Sequence, residues 1–192
     1  MMVPTRFFFG YLLAAISLVG CATQPEPVKT IQLYSNKEVI QLSYCTELAD
    51  TAYFIASEKL KQRPKQALIE RYATEASSKI KINAVQRIYS TDFDSAWNYS
   101  VNLFGECAQK VAEIPSQRLD IASFCAQKAV VAGGAYDFKQ SGAPKLDAYM
   151  AFASYKPTRP YEVIDAVYDS RSTSHLNVSQ NTWDHCIDVM SE

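Results

Sequence analysis

Four cysteines hold the most definite chemistry in this chain: Cys45, Cys107, Cys125 and Cys186. Cysteines can close disulfides, hold zinc or act as nucleophiles. Zinc sites are built from close pairs such as C-x-x-C, and no two of these cysteines stand that near. Disulfides suit an even count at repeated spacing in an oxidising compartment. Four cysteines allow three pairings. A thiol nucleophile would need a base beside it, and His185 precedes Cys186. The cysteine in the equivalent place, Cys107, follows Glu106 instead, which argues against that use.

Other chemistry is sparse. The two histidines, His175 and His185, leave little scope for imidazole-based metal or acid–base work. There is no G-x-S-x-G, H-E-x-x-H, G-x-G-x-x-G or phosphate-loop motif. Asp92 with Asp94, or Asp165 with Asp169, are carboxylate pairs of the kind that solvated helix ends also carry. No catalytic, cofactor-binding or metal-binding residue is assigned. A net charge of −1 gives no basic surface for nucleic acid. The one basic cluster is Lys59, Lys61, Arg63 and Lys65, which solvation and a helix C-terminus explain as well as lipid headgroups do.

The cysteines sit in a repeated frame. Shifted by 80 positions, Cys45, Ala49, Ala52, Lys59, Pro64, Lys65 and Ala73 fall on Cys125, Ala129, Ala132, Lys139, Pro144, Lys145 and Ala153. After a one-residue deletion, Tyr89, Ser95, Asn98, Ser100, Asn102 and Cys107 fall on Tyr168, Ser174, Asn177, Ser179, Asn181 and Cys186. Unrelated stretches of this length would share only about 3 or 4 residues. The body therefore reads as a tandem duplication of a helical unit of roughly 60–70 residues, repeat 1 over 36–112 and repeat 2 over 113–192. A duplicated unit should carry its own bridge in each half, which selects Cys45–Cys107 and Cys125–Cys186.

Helices must position those sulfurs. Ser35 or Asn36 offers an N-cap, and Cys45, Ala49, Ala52 and Ala56 then recur along one helical face to about Gln62. Pro64, Pro144 and Pro160 suit first turns. A further helix is expected from about Lys79 to Tyr89, one opening near Ser116 or Asp120, and a last from about Ser174 to Met190. Asp94–Gln109 is ambiguous, because Trp97, Tyr99, Val101 and Leu103 alternate with polar residues as in a strand. In the second half that alternation fails, so both are read as helix. Gly133-Gly134 inside a helix costs roughly 1 kcal/mol per glycine, and close packing is the expected reason. The fold class is all-α, one compact pseudo-symmetric helical body.

The N-terminus reads as a segment that sends the chain out of the cytoplasm, the alternatives being an uncleaved membrane helix or ordinary secretion with Cys21 as a spare thiol. Arg6 precedes an apolar run from Phe7 to Val19, an export-signal pattern over residues 1–20. It ends Leu18-Val19-Gly20-Cys21, which resembles the lipobox of bacterial lipoproteins. The resemblance implies cleavage before Cys21, a lipid (palmitate among its acyl chains) on that residue, and, with Ala22 next, sorting to the outer membrane. Several acyl chains anchor stably at about 0.8 kcal/mol per buried methylene. Residues 21–35 read as a proline-containing tether.

The Cys-framed body loosely resembles small helical periplasmic proteins: acid-stress chaperones, immunity proteins, and secretin pilotins, whose first and last helices share a disulfide. The expectation is a non-enzymatic outer-membrane lipoprotein facing the periplasm that binds an envelope protein as an assembly, chaperone-like or protective factor. The groove between the two halves would be its contact surface, and no cofactor is expected. The alternatives are an envelope enzyme acting on peptidoglycan or lipid, and a purely structural envelope protein.

Overall fold

In a computed structural model, which describes residues 33–75 and 77–190, the chain is all helical. The expected signal sequence over 1–20, Cys21 and the expected tether up to residue 32 lie outside the described residues. The elements are α1 (Asn36–Leu60), α2 (Lys65–Tyr72), α3 (Ser78–Tyr89), α4 (Ala96–Lys110), α5 (Leu119–Gln140), α6 (Lys145–Phe152), α7 (Pro160–Asp169) and α8 (His175–Met190). Short 3-10 turns occupy Ser116–Arg118 and Lys156–Thr158. The ambiguous Asp94–Gln109 stretch is helical, because its buried residues Ala96, Trp97, Ser100, Phe104, Cys107 and Ala108 fall at intervals of one, three and four.

Each start and stop has a local cause. Ser35 and Glu38 form a reciprocal capping box at α1, with bonds of 3.3 and 2.7 Å. Ser95 and Ser174 accept from the amides of Asn98 and Asn177, opening α4 and α8 in the same way. α1 and α5 both end on a left-handed residue, Gln62 (φ 62°) and Gly142 (φ 75°). Behind it the Arg63 amide bonds back to the Glu58 carbonyl, and that of Ala143 to Phe138. Pro64 and Pro144 cap the next helix in each half.

Two bridges fasten the long helices, Cys45–Cys107 between α1 and α4, and Cys125–Cys186 between α5 and α8. Both lie in one buried cluster with Tyr34, Leu42, Phe104, Ile114, Trp183 and Ile187. The centre is therefore shared, and two outer clusters flank it, the second of which also takes in Trp97 of α4. Around Ile55, Tyr72 and Ile88 the first half packs α1, α2 and α3. Around Phe152, Ile164 and Val167 the second half packs α5, α6 and α7.

The body also begins earlier than the sequence implies. Leu33 and Tyr34, assigned to the tether by composition, belong to the fold. Tyr34 is fully buried. Its hydroxyl donates to the Arg118 carbonyl and accepts from the Ala122 amide, while the Leu33 carbonyl accepts from Arg118. An aromatic ring this close to a polar linker found more apolar area to bury than the linker's composition suggested.

Candidate functional site

The seam between the halves is filled. Trp97 of α4 stacks on Tyr155 with ring centroids 3.8 Å apart, Tyr53 packs on Trp97 and Phe152, and Phe104 meets Trp183 at 6.4 Å. A void beside Ala49, Phe104, Ala126 and Val130 has only about 10 Å³. The groove expected between the halves is therefore absent there, because aromatic side chains from both sides occupy the space.

Open space lies instead within the second half. Between α5, α7 and α8 runs a groove of about 340 Å³, lined mainly by Phe124, Val163, Ala166, Cys186, Val189 and Met190. Lys128, Glu162, Asn181, Thr182 and His185 supply its charged and polar groups. That size and a mostly apolar lining are usual for binding pockets. Val189 and Met190 stand 61% and 43% exposed, apolar side chains left in water at its wall.

The equivalent surface of the first half is lined differently. The residues matching Ala166, His185 and Val189 there are Arg87, Glu106 and Lys110. The Glu106 carboxylate lies 3.9 Å from Arg87 and 3.6 Å from Lys110, running charge from α3 to α4. The surface beside it holds separate hollows of about 220 and 160 Å³. Exposed pairs like these add little stability. Their effect is on the rim of the surface: bridged charge stands at the edge of the first-half hollows, at positions where the second-half groove has Ala166, His185 and Val189.

A second cluster sits at the seam and was not read from the sequence. His175, the first residue of α8, lies between two carboxylates: Nε2 is 2.7 Å from Asp50 of α1, and Nδ1 is 3.0 Å from Asp137 of α5. Gly133 permits the approach, since a Cβ there would stand 2.6 Å from His175 Nε2 and 2.7 Å from Asp50 Oδ1. Gly134 likewise makes room for the Phe152 ring, so the glycine pair serves close packing. Burial by itself pushes the imidazolium down. The Asp50 charge, the bonds to Asp137 and Asp50 and the Asp137 charge outweigh it, and the group is raised to about 10. At neutral pH both N–H groups are donated and no lone pair is free to take a proton. The cluster holds helices together and is not built for base catalysis.

Asp92 and Asp94 stand exposed, and most of the remaining candidates are tied up. Cys186 is bridged and cannot act as a nucleophile beside His185. Asp165 accepts from Lys145 and Tyr149, and those bonds, Tyr149 first, hold its carboxyl below the usual range. In the basic cluster, Lys61 and Arg63 pair with Glu58 at 3.0 and 2.9 Å, and Lys59 is bound to backbone carbonyls. Among the described residues no three His, Cys, Asp or Glu converge where a metal ion could sit, and no helix is long and apolar enough to cross a membrane.

Known proteins give no match. No family model fits the chain, and neither a curated protein nor a solved structure is similar to it.

Asp50 was the available signal for the seam cluster. It follows Ala49 on the small-residue face of α1, and an acid beside a buried stripe needs a partner.

Proposed function

We propose that this is a non-enzymatic lipoprotein of the bacterial envelope, built as a duplicated helical unit. It is anchored through Cys21 to the outer membrane, faces the periplasm and works by binding a protein partner. The observation that carries the reading is the α5–α7–α8 groove, a mostly apolar hollow of about 340 Å³ with Ala166, His185 and Val189 where the first half carries the Arg87, Glu106 and Lys110 charges. A common helical frame needs no such difference for stability. Contact between proteins does: large apolar side chains around a central hollow are where binding energy concentrates. The saturated His175 and the bridged Cys186 add no catalytic pair.

The test uses the full chain in mild detergent. Ala166→Arg, His185→Glu and Val189→Lys together restore the first-half residues at exposed positions. The wild type should retain one envelope protein in stoichiometric amount, and the triple variant should lose it. Equal recovery by both, or no partner at all, refutes the groove. Activity toward peptidoglycan or lipid that one polar substitution abolishes would overturn the non-enzymatic reading. The anchor is tested separately: Cys21→Ser should abolish palmitate labelling and move the protein out of the membrane fraction.

A further inference from the structure

The Asp50–His175–Asp137 bridge has no counterpart in the first half, where Ala96 and Ser57 stand in the places of His175 and Asp137, and Val130 in the second half answers Asp50. It is an addition to the shared frame. It ties the start of α8 to α1 and α5 at once, while the Cys125–Cys186 bridge fixes α8 nearer its other end. Between them the one side-chain hydrogen bond from α8 to α1 among the described residues is that of Gln180 to Ser43, at 2.8 Å.

The position is unfavourable for a cation. A helix N-terminus carries partial positive charge, and the first turn of α8 holds no acid to offset it. The charged groups facing the ring are Asp50 from α1 and Asp137 from α5, and the uncharged titratable neighbour is Tyr136 of α5, edge-on at 6.4 Å. Asp50 is only 4% exposed at its side chain, and its Oδ1 finds no hydrogen-bond partner in the protein. Among the described residues, the counter-charge of the imidazolium thus comes from these two carboxylates alone.

We propose that this bridge is an acid-released latch on α8. When Asp50 and Asp137 take up protons, the imidazolium is left half-buried without counter-charge, and acid cannot discharge it. Leaving one partner of a buried pair uncompensated is strongly destabilising. The first turns of α8 then part from α1 and α5, while the disulfide keeps the far end attached. Asn181, Thr182 and His185 on α8 line the groove, so the release loosens one of its walls. The latch does not depend on what the groove binds.

Hydrogen exchange on the full chain tests this, read at neutral and acid pH and corrected for intrinsic rates. Amides from Ser179 to Trp183 should exchange about tenfold faster in acid, while the first turns of α4, which share the serine cap and lack the bridge, should not. His175→Gln should make α8 exchange alike at both pH values. Asp137→Asn, at a part-exposed position, should make α8 exchange faster at neutral pH, toward the acid rate of the wild type. An α8 that ignores acid in the wild type overturns the proposal. So does an unchanged acid response in His175→Gln, or, should that variant not fold, an Asp137→Asn protein that behaves as wild type at neutral pH.

Discussion

Lys59 and Lys139 perform the same task 80 positions apart. The Lys59 ammonium donates to the carbonyls of Ile88 and Thr91 at 3.2 and 2.6 Å, and that of Lys139 to Val167 and Ser170 at 3.0 and 2.6 Å. Each lysine near the end of a long helix thereby closes the C-terminus of the third helix of its half, satisfying carbonyls that the helix leaves without partners. Tyr89 and Tyr168 repeat the pattern, donating to the carbonyls of Arg63 and Ala143.

Hydrogen bonds to a charged group contribute about 1.5–3 kcal/mol. Lys59→Met and Lys139→Met should each destabilise the protein by about 2 kcal/mol, and by similar amounts, in urea denaturation. A loss confined to one of them would show that the matching geometry is not matched in energy.

The glycine pair makes the next prediction. Alanine normally favours a helix over glycine by about 1 kcal/mol. At Gly133 and Gly134 the added methyl meets the His175–Asp50 pair and the ring of Phe152. Phe152 is fully buried among Tyr53 and Tyr155, so it has little room to yield. Both substitutions to alanine should therefore destabilise, by about 1–3 kcal/mol as overpacking does. Only Gly133→Ala should also lower the His175 pKa in a proton NMR titration, because only that methyl parts the ring from Asp50.

The frame was legible in sequence because its signals are local. Prolines, caps and small-residue stripes act within a turn or two, and the repeated spacing supplied each signal twice. The seam cluster was not, since Asp50 lies 125 residues and Asp137 lies 38 residues from His175 in the chain. No spacing rule joins residues so far apart. Tyr34 was misplaced for a related reason: its partners, Arg118 and Ala122, are more than 80 residues away. The substitutions at the groove, Arg87 to Ala166 and Lys110 to Val189, are visible in the alignment of the halves. They acquire meaning only once α3 and α7 are known to face α4 and α8.

His175 also fixes the behaviour of the protein toward alkali. Its folded pKa, about 10, lies above the ordinary 6.5, so its contribution to stability is complete below pH 6.5 for as long as Asp50 and Asp137 keep their charge. That contribution is lost as the pH rises from 6.5 to about 10, at no more than about 1.4 kcal/mol per pH unit. Partial exposure of the ring reduces the figure further. Thermal unfolding of wild type and His175→Gln should differ most near neutrality and converge above pH 10. Melting curves equally far apart at pH 7 and pH 10 would contradict the ion pair.

The shared centre sets how the molecule comes apart. On the chain-entropy model a loop of about 60 residues makes each bridge worth about 4 kcal/mol. Were the halves independent, removing one bridge would unfold one half and leave the other standing. Both bridges lie in a single buried cluster, where Phe104 and Trp183 pack across the seam. Neither half can lose that centre and keep its own core covered. The paired variants Cys45→Ser with Cys107→Ser, and Cys125→Ser with Cys186→Ser, should each lower stability by up to about 4 kcal/mol in one cooperative transition. Fluorescence of Trp97 and Trp183, one in each half, and far-ultraviolet circular dichroism should follow the same curve. Two separated transitions would show that the halves fold apart, and the seam would then be a contact surface between domains.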